Sequence, residues 1–213
     1  METIRLVDAT TVEIRKSGTG CSSEARALQV VEMSGAKVTR GTTGAMSGTS
    51  LSVTGLGSVD QSRTLLLYSY RTTASDLVMC DRMVRGELTS STTIGFSRGA
   101  GASGCSVTPV DAVAWQRVEL PAGVKIQQVQ ATVAAGTGAV NVSLASAVDL
   151  GRTIALAGGQ WTDGQGIGEG SFATDDIIGA MVGRHELTGT TTLKVTRDNT
   201  GGKAEWTSYV VEF

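Results

Sequence analysis

One stretch of this sequence occurs three times, and it limits what the chain can fold into. Residues 86–98 read GELTSSTTIGFSR, and residues 185–197 read HELTGTTTLKVTR. A degenerate copy, IRLVDATTVEIRK, covers residues 4–16. Repetition of this kind means that one supersecondary unit is used more than once. Each copy leads through a Gly-rich connection to a similar closing segment, at residues 30–33, 117–120 and 210–213.

Other segments recur in the same order and define the repeat boundaries. Residues 59–67 match residues 148–156, and a Pro and a Gly interrupt the strand pattern at residues 121–123. The sequence therefore predicts an N-terminal half-repeat at residues 1–33 and complete repeats at residues 34–120 and 121–213.

Short alternations of apolar and polar residues predict strands. Ile4 and Leu6, and then Val12 and Ile14, alternate with polar neighbours. No segment combines a sustained helical period with helix caps, and many short strands at regular spacing are typical of a sandwich or barrel. The predicted fold class is all-β: tandem antiparallel β-sandwich modules with an N-terminal half-repeat.

The half-repeat requires a partner. A half-sandwich has an apolar face and unpaired backbone edges. The strands of residues 1–33 are therefore expected to pair with another subunit or to pack on a neighbouring module. A closed homo-oligomer would satisfy every copy at once, with terminal strands added across the subunit boundary by β-augmentation.

The closing strands predict which face of each sheet is buried. One parity stays apolar in all copies, so Val31/Met33, Val118/Leu120 and Val211/Phe213 are expected to face the core. Trp115 and Arg117 then lie on the other face, where Trp115 either packs under a loop or anchors an interface. The remaining residues predicted to be buried are Leu88, Ile94, Phe96, Leu187, Leu193 and Val195.

Composition and charge exclude several classes of partner. The formal net charge is −2, which argues against a nucleic-acid binder that relies on phosphate neutralisation. No apolar run approaches the roughly 20 residues that span a bilayer. The N-terminal residues lack the pattern of a signal peptide, so the protein is expected to be made in a host cytoplasm without general secretion.

The three cysteines, Cys21, Cys80 and Cys105, leave two interpretations open. In a cytoplasm they would be reduced thiols. Alternatively, Cys21 and Cys105, which both follow the repeated strand, form a disulfide between subunits after assembly. No CxxC motif is present and the chain has one histidine, so a zinc site is not expected.

Other motifs indicate scaffold rather than chemistry. Residues 99–104 fit G-x-G-x-x-G, but no βαβ context surrounds them, which favours a turn over a nucleotide site. The acidic loop at residues 163–176 is interpreted as solvated rather than as a Ca²⁺ site. Asp60 and Asp149 each precede an arginine by three residues, a spacing that suits a capped turn. Arg98, Arg197 and Lys16 recur at a strand end and are interpreted as scaffold.

No catalytic constellation is evident. His185 is the only histidine, its repeat counterparts are Gly86 and Arg5, and no nucleophile motif points to it. It is predicted to be a strand-borne, exposed side chain. No catalytic residue, cofactor or metal is therefore assigned, and the chain is predicted not to be an enzyme.

The repeats resemble those of Thr/Gly-rich all-β structural proteins of tailed-bacteriophage virions. Three segments carry this resemblance, although the second copy lacks the opening V-x-R-G-T and the last closing strand lacks the Trp. They are V-x-R-G-T at residues 38–42, V-D-x-x-R-T at residues 59–64 and 148–153, and the closing strands at residues 115–120 and 209–213.

The resemblance implies a virion structural protein. We expect a capsid decoration or cement protein that binds and stabilises the assembled phage shell, whose partners are other virion proteins, such as the major capsid protein, and copies of itself, as a trimer. No nucleic-acid or membrane partner is expected. The alternative is a tail, collar or fibre appendage that binds a receptor or glycan, with Trp161, Asp163 and Gln165 of the long loop as contacts. Trp115, Arg117 and Trp161 are the candidate interface residues.

Overall fold

The chain is an antiparallel all-β protein, which confirms the predicted fold class. A computed structural model describes residues 2–8, 10–16, 30–72, 83–99, 109–162, 182–198 and 200–213. Cys21, Cys80, Cys105, most of the glycine-rich turn and the acidic loop lie outside these residues.

The first complete repeat is a β-sandwich of two three-stranded sheets. Its front sheet has the order β3-β8-β5, and its back sheet has the order β4-β7-β6. A short 3-10 turn, Gln61–Arg63, leads into β5. The strands are β3 (Lys37–Thr42), β4 (Ser50–Val53), β5 (Thr64–Arg71), β6 (Arg85–Ser90), β7 (Thr93–Ser97) and β8 (Ala112–Glu119).

The second complete repeat has the same elements in the same order. Its front sheet is β9-β14-β11 and its back sheet is β10-β13-β12, with a 3-10 turn, Leu150–Arg152, before β11. This strand order is that of a jelly roll reduced to six strands. The strands are β9 (Lys125–Val133), β10 (Ala139–Ser143), β11 (Thr153–Thr162), β12 (Arg184–Gly189), β13 (Thr192–Thr196) and β14 (Ala204–Glu212).

The N-terminal segment is a hairpin of β1 (Glu2–Leu6) and β2 (Val12–Lys16). Leu6 lies opposite Val12, as Leu88 lies opposite Ile94 in the β6–β7 hairpin and Leu187 lies opposite Leu193 in the β12–β13 hairpin. All three copies of the repeated stretch are therefore the same hairpin in the same register.

The prediction of a closing strand at residues 30–33 is wrong. These residues form no strand, and Val31 is 78% exposed. In the complete repeats the closing strand pairs between the first and third strands of the front sheet. No such pair of strands flanks residues 30–33 in the described chain, so this segment has no sheet to complete.

The face assignment of the closing strands is also wrong. Trp115 and Arg117 point into the first sandwich and are 6% and 1% exposed. Arg117 is tolerated there because its guanidinium donates to the carbonyls of Ser91 (3.1 Å) and Gly57 (2.9 Å). Val118 lies on the outer face and is only partly buried. In this strand, the side chains that were predicted to face the core therefore lie on the outer face of the sheet.

Most of the individual burial predictions hold. Three residues are exposed instead: Val31 and Met33, which lie in no strand, and Phe213, which follows the last strand and is 48% exposed. Val118 and Leu187 are partly buried. The buried residues among those predicted are Leu88, Ile94, Phe96, Leu120, Leu193, Val195 and Val211.

An Asp–Arg–Glu cluster closes one end of each sandwich. Asp60 accepts the backbone N–H of Ser62 (3.0 Å), and Arg63 pairs with both Asp60 (3.1 Å) and Glu119 of the closing strand. The hydrogen bonds from Ser62 hold the pKa of the Asp60 carboxyl below its usual value. The capped turn predicted from the Asp and Arg spacing is confirmed.

The second sandwich repeats this cluster. Asp149 accepts the backbone N–H of Gly151 (2.9 Å), and Arg152 lies 3.6 Å from Asp149 and 3.1 Å from Glu212. Because Arg152 joins the start of β11 to the end of β14, the cluster fixes two neighbouring strands of the front sheet relative to each other.

A second repeated arginine supports the back sheet. Arg98 Nε donates to the Gly48 carbonyl (2.9 Å), and Arg197 Nε donates to the Thr137 carbonyl (3.1 Å). Both side chains are buried, and burial lowers the pKa of Arg197. These contacts agree with the scaffold role predicted for the two arginines.

The two phenylalanines provide a matched test of the corrected core. Phe96 is 2% exposed and packs edge-on against Tyr68 at 5.4 Å, so Phe96→Ala is expected to cost about 3–5 kcal/mol of unfolding free energy. Phe213→Ala is expected to cost less than about 1 kcal/mol, because half of that side chain is already in water. Urea denaturation of both variants measures the difference, and equal losses would contradict the core as described.

Candidate assembly interface

The outer edge of β6 presents backbone groups that none of the described strands pairs. β6 is an edge strand of its back sheet, and such edges are usually blocked in native proteins. The Tyr68 hydroxyl, from the same sandwich, donates to the Val84 carbonyl (2.7 Å) and accepts the Gly86 N–H (2.8 Å). Burial raises the pKa of Tyr68, which keeps the hydroxyl protonated as a donor.

The next backbone groups on this edge are satisfied by the second sandwich. The Leu88 N–H donates to Gln128 Oε1 (2.8 Å), and Gln128 Nε2 donates to the Leu88 carbonyl (3.1 Å). The Tyr209 hydroxyl donates to the same Gln128 oxygen (3.2 Å), and burial raises the pKa of Tyr209. One side-chain amide on β9 therefore pairs with β6 as a neighbouring strand would.

Polar pairs surround this contact. Arg85 of β6 lies 3.2 Å from Glu205 of β14, and Gln130 of β9 hydrogen-bonds Glu87 of β6. We call the whole contact of β6 with the outer face of the β9-β14-β11 sheet the seam. It places the edge of one sheet on the face of another.

The seam is tightly packed and apolar at its centre. Tyr209 and Val211 are 1% exposed and belong to the same apolar cluster as Leu88 of the first sandwich. A Cβ at Gly159 would lie 1.7 Å from the Tyr68 hydroxyl oxygen, so the close approach of β11 to Tyr68 requires glycine. The apolar core of the first sandwich therefore continues onto the outer face of the β9-β14-β11 sheet, while the inside of the second sandwich has an apolar core of its own.

The N-terminal hairpin makes the equivalent contact with the first sandwich. The Ile4 N–H donates to Ser69 Oγ (2.9 Å), and that hydroxyl donates to the Ile4 carbonyl (3.3 Å). Arg40 Nη1 donates to the Leu6 carbonyl (3.3 Å). Arg40 occupies the position in β3 that Gln128 occupies in β9, and Leu6 matches Leu88. The β1–β2 hairpin is thus seated on the outer face of the β3-β8-β5 sheet of its own chain.

The third hairpin, β12–β13, has no such neighbour in the described chain. No sheet of the described residues lies against β12 as the β9-β14-β11 sheet lies against β6. Leu187 is partly exposed, whereas its counterpart Leu88 is 3% exposed. Arg184 and Glu186 pair with each other at 3.2 Å, and their side chains are 72% and 49% exposed.

Two of the three residues predicted as candidate interface sites lie away from the seam. Trp115 and Arg117 are inside the first sandwich, so their positions give no support to an interface role. Trp161 is on β11 with its backbone opposite Glu205, and its side chain is outside the description.

The prediction of an exposed His185 is wrong. Its ring lies inside the second sandwich, where Nδ1 is 2.7 Å from Ser208 Oγ and the ring is edge-on to Trp206. Burial lowers the pKa of His185, which favours the neutral imidazole. Ser208 is fully buried, so the pair serves as an internal hydrogen bond between the two sheets.

The described residues contain neither a metal-binding cluster nor a membrane-spanning helix. Within the described residues, no group of three or more His, Cys, Asp or Glu side chains is arranged to hold a metal ion. No helix in that part of the chain is long and apolar enough to cross a membrane. Comparison with protein-family models, curated proteins and solved structures found nothing similar to this chain.

Sequence reasoning missed Ser69, Arg40, Gln128 and Tyr209. A signal was available for the last of these, because the segment from Trp206 to Val211 is largely nonpolar on both parities. A strand with nonpolar side chains on both faces indicates a sheet that is covered on both sides. The roles of Gln128 and Arg40 depend on which strand edge meets them, which no local pattern contains.

Neighbouring glutamines provide a matched test of the seam. Gln128 pairs with the N–H and carbonyl of buried Leu88. Gln127 pairs in the same way with the N–H and carbonyl of exposed Ser146, and its two hydrogen bonds are both 3.0 Å long. Gln128→Ala is expected to cost about 1–3 kcal/mol, because the groups left behind are buried. Gln127→Ala is expected to cost less than about 1 kcal/mol, because water replaces its bonds. Chemical denaturation measures both, and a larger loss for Gln127→Ala would refute the seam.

Proposed function

We propose that this chain is a non-enzymatic structural protein of a tailed-phage virion, a capsid decoration protein that binds and stabilises the assembled shell. The proposal combines the resemblance of the repeats with the architecture of the chain. Its partners are the major capsid protein and further copies of itself, with a trimer as the expected assembly.

The seam is the observation that carries the proposal. Gln128 and Tyr209 join two sandwiches edge-on-face through a buried, hydrogen-bonded contact, and the β1–β2 hairpin is joined in the same way. Interfaces with a buried apolar centre hold domains in a fixed arrangement. A fixed array of sandwiches suits a protein whose role is to bridge or cover other subunits.

The repeated polar residues support a structural role. Asp60, Arg63 and Glu119, with their counterparts in the second sandwich, fix strand ends. Arg98 and Arg197 hold loops against the back sheets. The repeated motifs thus stabilise the scaffold, and binding is assigned to the surfaces that the scaffold presents.

Binding to capsids tests the proposal directly. Purified protein is added to undecorated capsids, and co-sedimentation measures the bound amount. We expect saturable binding and a higher temperature of capsid disruption, since a decoration protein binds the assembled shell. A glycan panel run beside it tests the alternative: glycan binding without capsid binding would overturn the proposal in favour of a tail or fibre appendage.

A further inference from the structure

The described residues contain three copies of the repeated hairpin and two front sheets that receive one. β1–β2, β6–β7 and β12–β13 share one register. The first two are seated on the front sheets of the first and second sandwiches. In the described chain, both front sheets are therefore occupied and the edge of β12 is left over.

The β12–β13 hairpin carries the same kinds of side chain as the β6–β7 hairpin, which is docked on a neighbouring sheet. Arg184, Glu186 and Leu187 repeat the order of Arg85, Glu87 and Leu88. In the seam, Arg85 contacts Glu205 and Glu87 contacts Gln130 of the facing sheet. Leu187 lies opposite Leu193 in the register of Leu88 and Ile94, so its N–H and carbonyl point to the free edge.

We propose that β12–β13 is a docking element for a second copy of this chain, which receives it on the outer face of its β3-β8-β5 sheet in place of that copy's own β1–β2 hairpin. The interface does not depend on the virion role. It would be built as the seam is built, with one sandwich placed edge-on-face on the next.

The β3-β8-β5 sheet is suited to this exchange. Arg40 donates to the Leu6 carbonyl now and would donate to the Leu187 carbonyl in the assembled state. Glu186 would bring a carboxylate to the face that carries this guanidinium. Val38 and Leu67 on the same face are 45% and 49% exposed, because the small β1–β2 hairpin does not cover them. A sandwich docked on this face would therefore bury apolar surface that is now exposed.

The front sheet of the second sandwich is not available for the same purpose. Its outer face is buried against the first sandwich of its own chain, where Tyr209 and Val211 are 1% exposed. Docking there would require the apolar cluster at the seam to open. The β1–β2 hairpin is held on its sheet by a few hydrogen bonds, from Ser69 and Arg40. A partner can therefore displace this hairpin and take its place.

The β1–β2 hairpin then acts as an intramolecular competitor. A tethered segment has an effective concentration on the order of millimolar, so it occupies its site until the free copy is concentrated or held nearby. Because the docking surfaces of the two copies differ, exchange joins copies head to tail. The hairpin therefore limits assembly in dilute solution.

Removing or loosening the hairpin tests the proposal. One variant lacks residues 1–16, and a second, full-length variant carries Ile4→Pro, which deletes the N–H that Ser69 accepts. Sedimentation at a series of concentrations measures the mass. We expect both variants to reach the mass of dimers and longer chains at concentrations where the unaltered protein remains a single chain.

A block at the other end identifies the surface. Adding Leu187→Pro removes the edge N–H of β12, and Glu186→Arg reverses the charge that would face Arg40; each is expected to return the mass to that of one chain. Ile14→Pro, on the other strand of the first hairpin, is the matched control and should leave the mass unchanged. Circular dichroism measures whether each variant is folded.

Three results would overturn the proposal, and the third applies when the deletion variant does not fold. One is a folded variant lacking residues 1–16 that remains a single chain throughout the concentration series. Another is assembly that persists with Leu187→Pro and with Glu186→Arg. If the deletion variant does not fold, Ile4→Pro decides: its proteolysis after Arg15 reports release of the hairpin, and release without any rise in mass would also overturn the proposal.

Discussion

The pairing of Gln128 with the backbone of Leu88 is the interaction on which the arrangement of the chain depends. β6 leaves an open edge with unsatisfied N–H and carbonyl groups, and the β9-β14-β11 sheet has apolar side chains on its outer face. Either surface alone would be a liability in water. Placing the edge on the face removes both, because Gln128 satisfies the edge while Tyr209 and Val211 are covered.

The same solution appears at the N-terminus with different residues. Arg40 stands where Gln128 stands, and the hydroxyl of Ser69 satisfies both backbone groups of Ile4. The geometry is therefore preserved while the chemistry of the contact varies. Repeat proteins in which each unit contacts only its neighbours share this property, and they can be extended or ended at any unit.

The sequence predicted the elements well and the faces poorly. The strand pattern of the complete repeats and the Asp60 turn depend on local spacing, which a sequence contains. The orientation of the closing strand depends on distant groups: Arg117 points inward because the Ser91 and Gly57 carbonyls receive it. The outer face is apolar because a neighbouring unit covers it. A periodic pattern reports that a face is buried without reporting what buries it.

Amide hydrogen exchange of Leu88 and Leu187 measures whether the seam protects the edge of β6. The two leucines occupy the same position in the same hairpin, and they differ in whether a glutamine of a neighbouring sheet accepts the edge N–H. In dilute solution we expect the Leu88 amide to exchange only with global unfolding and the Leu187 amide to exchange by local opening. Equal and rapid exchange at both positions would contradict this expectation.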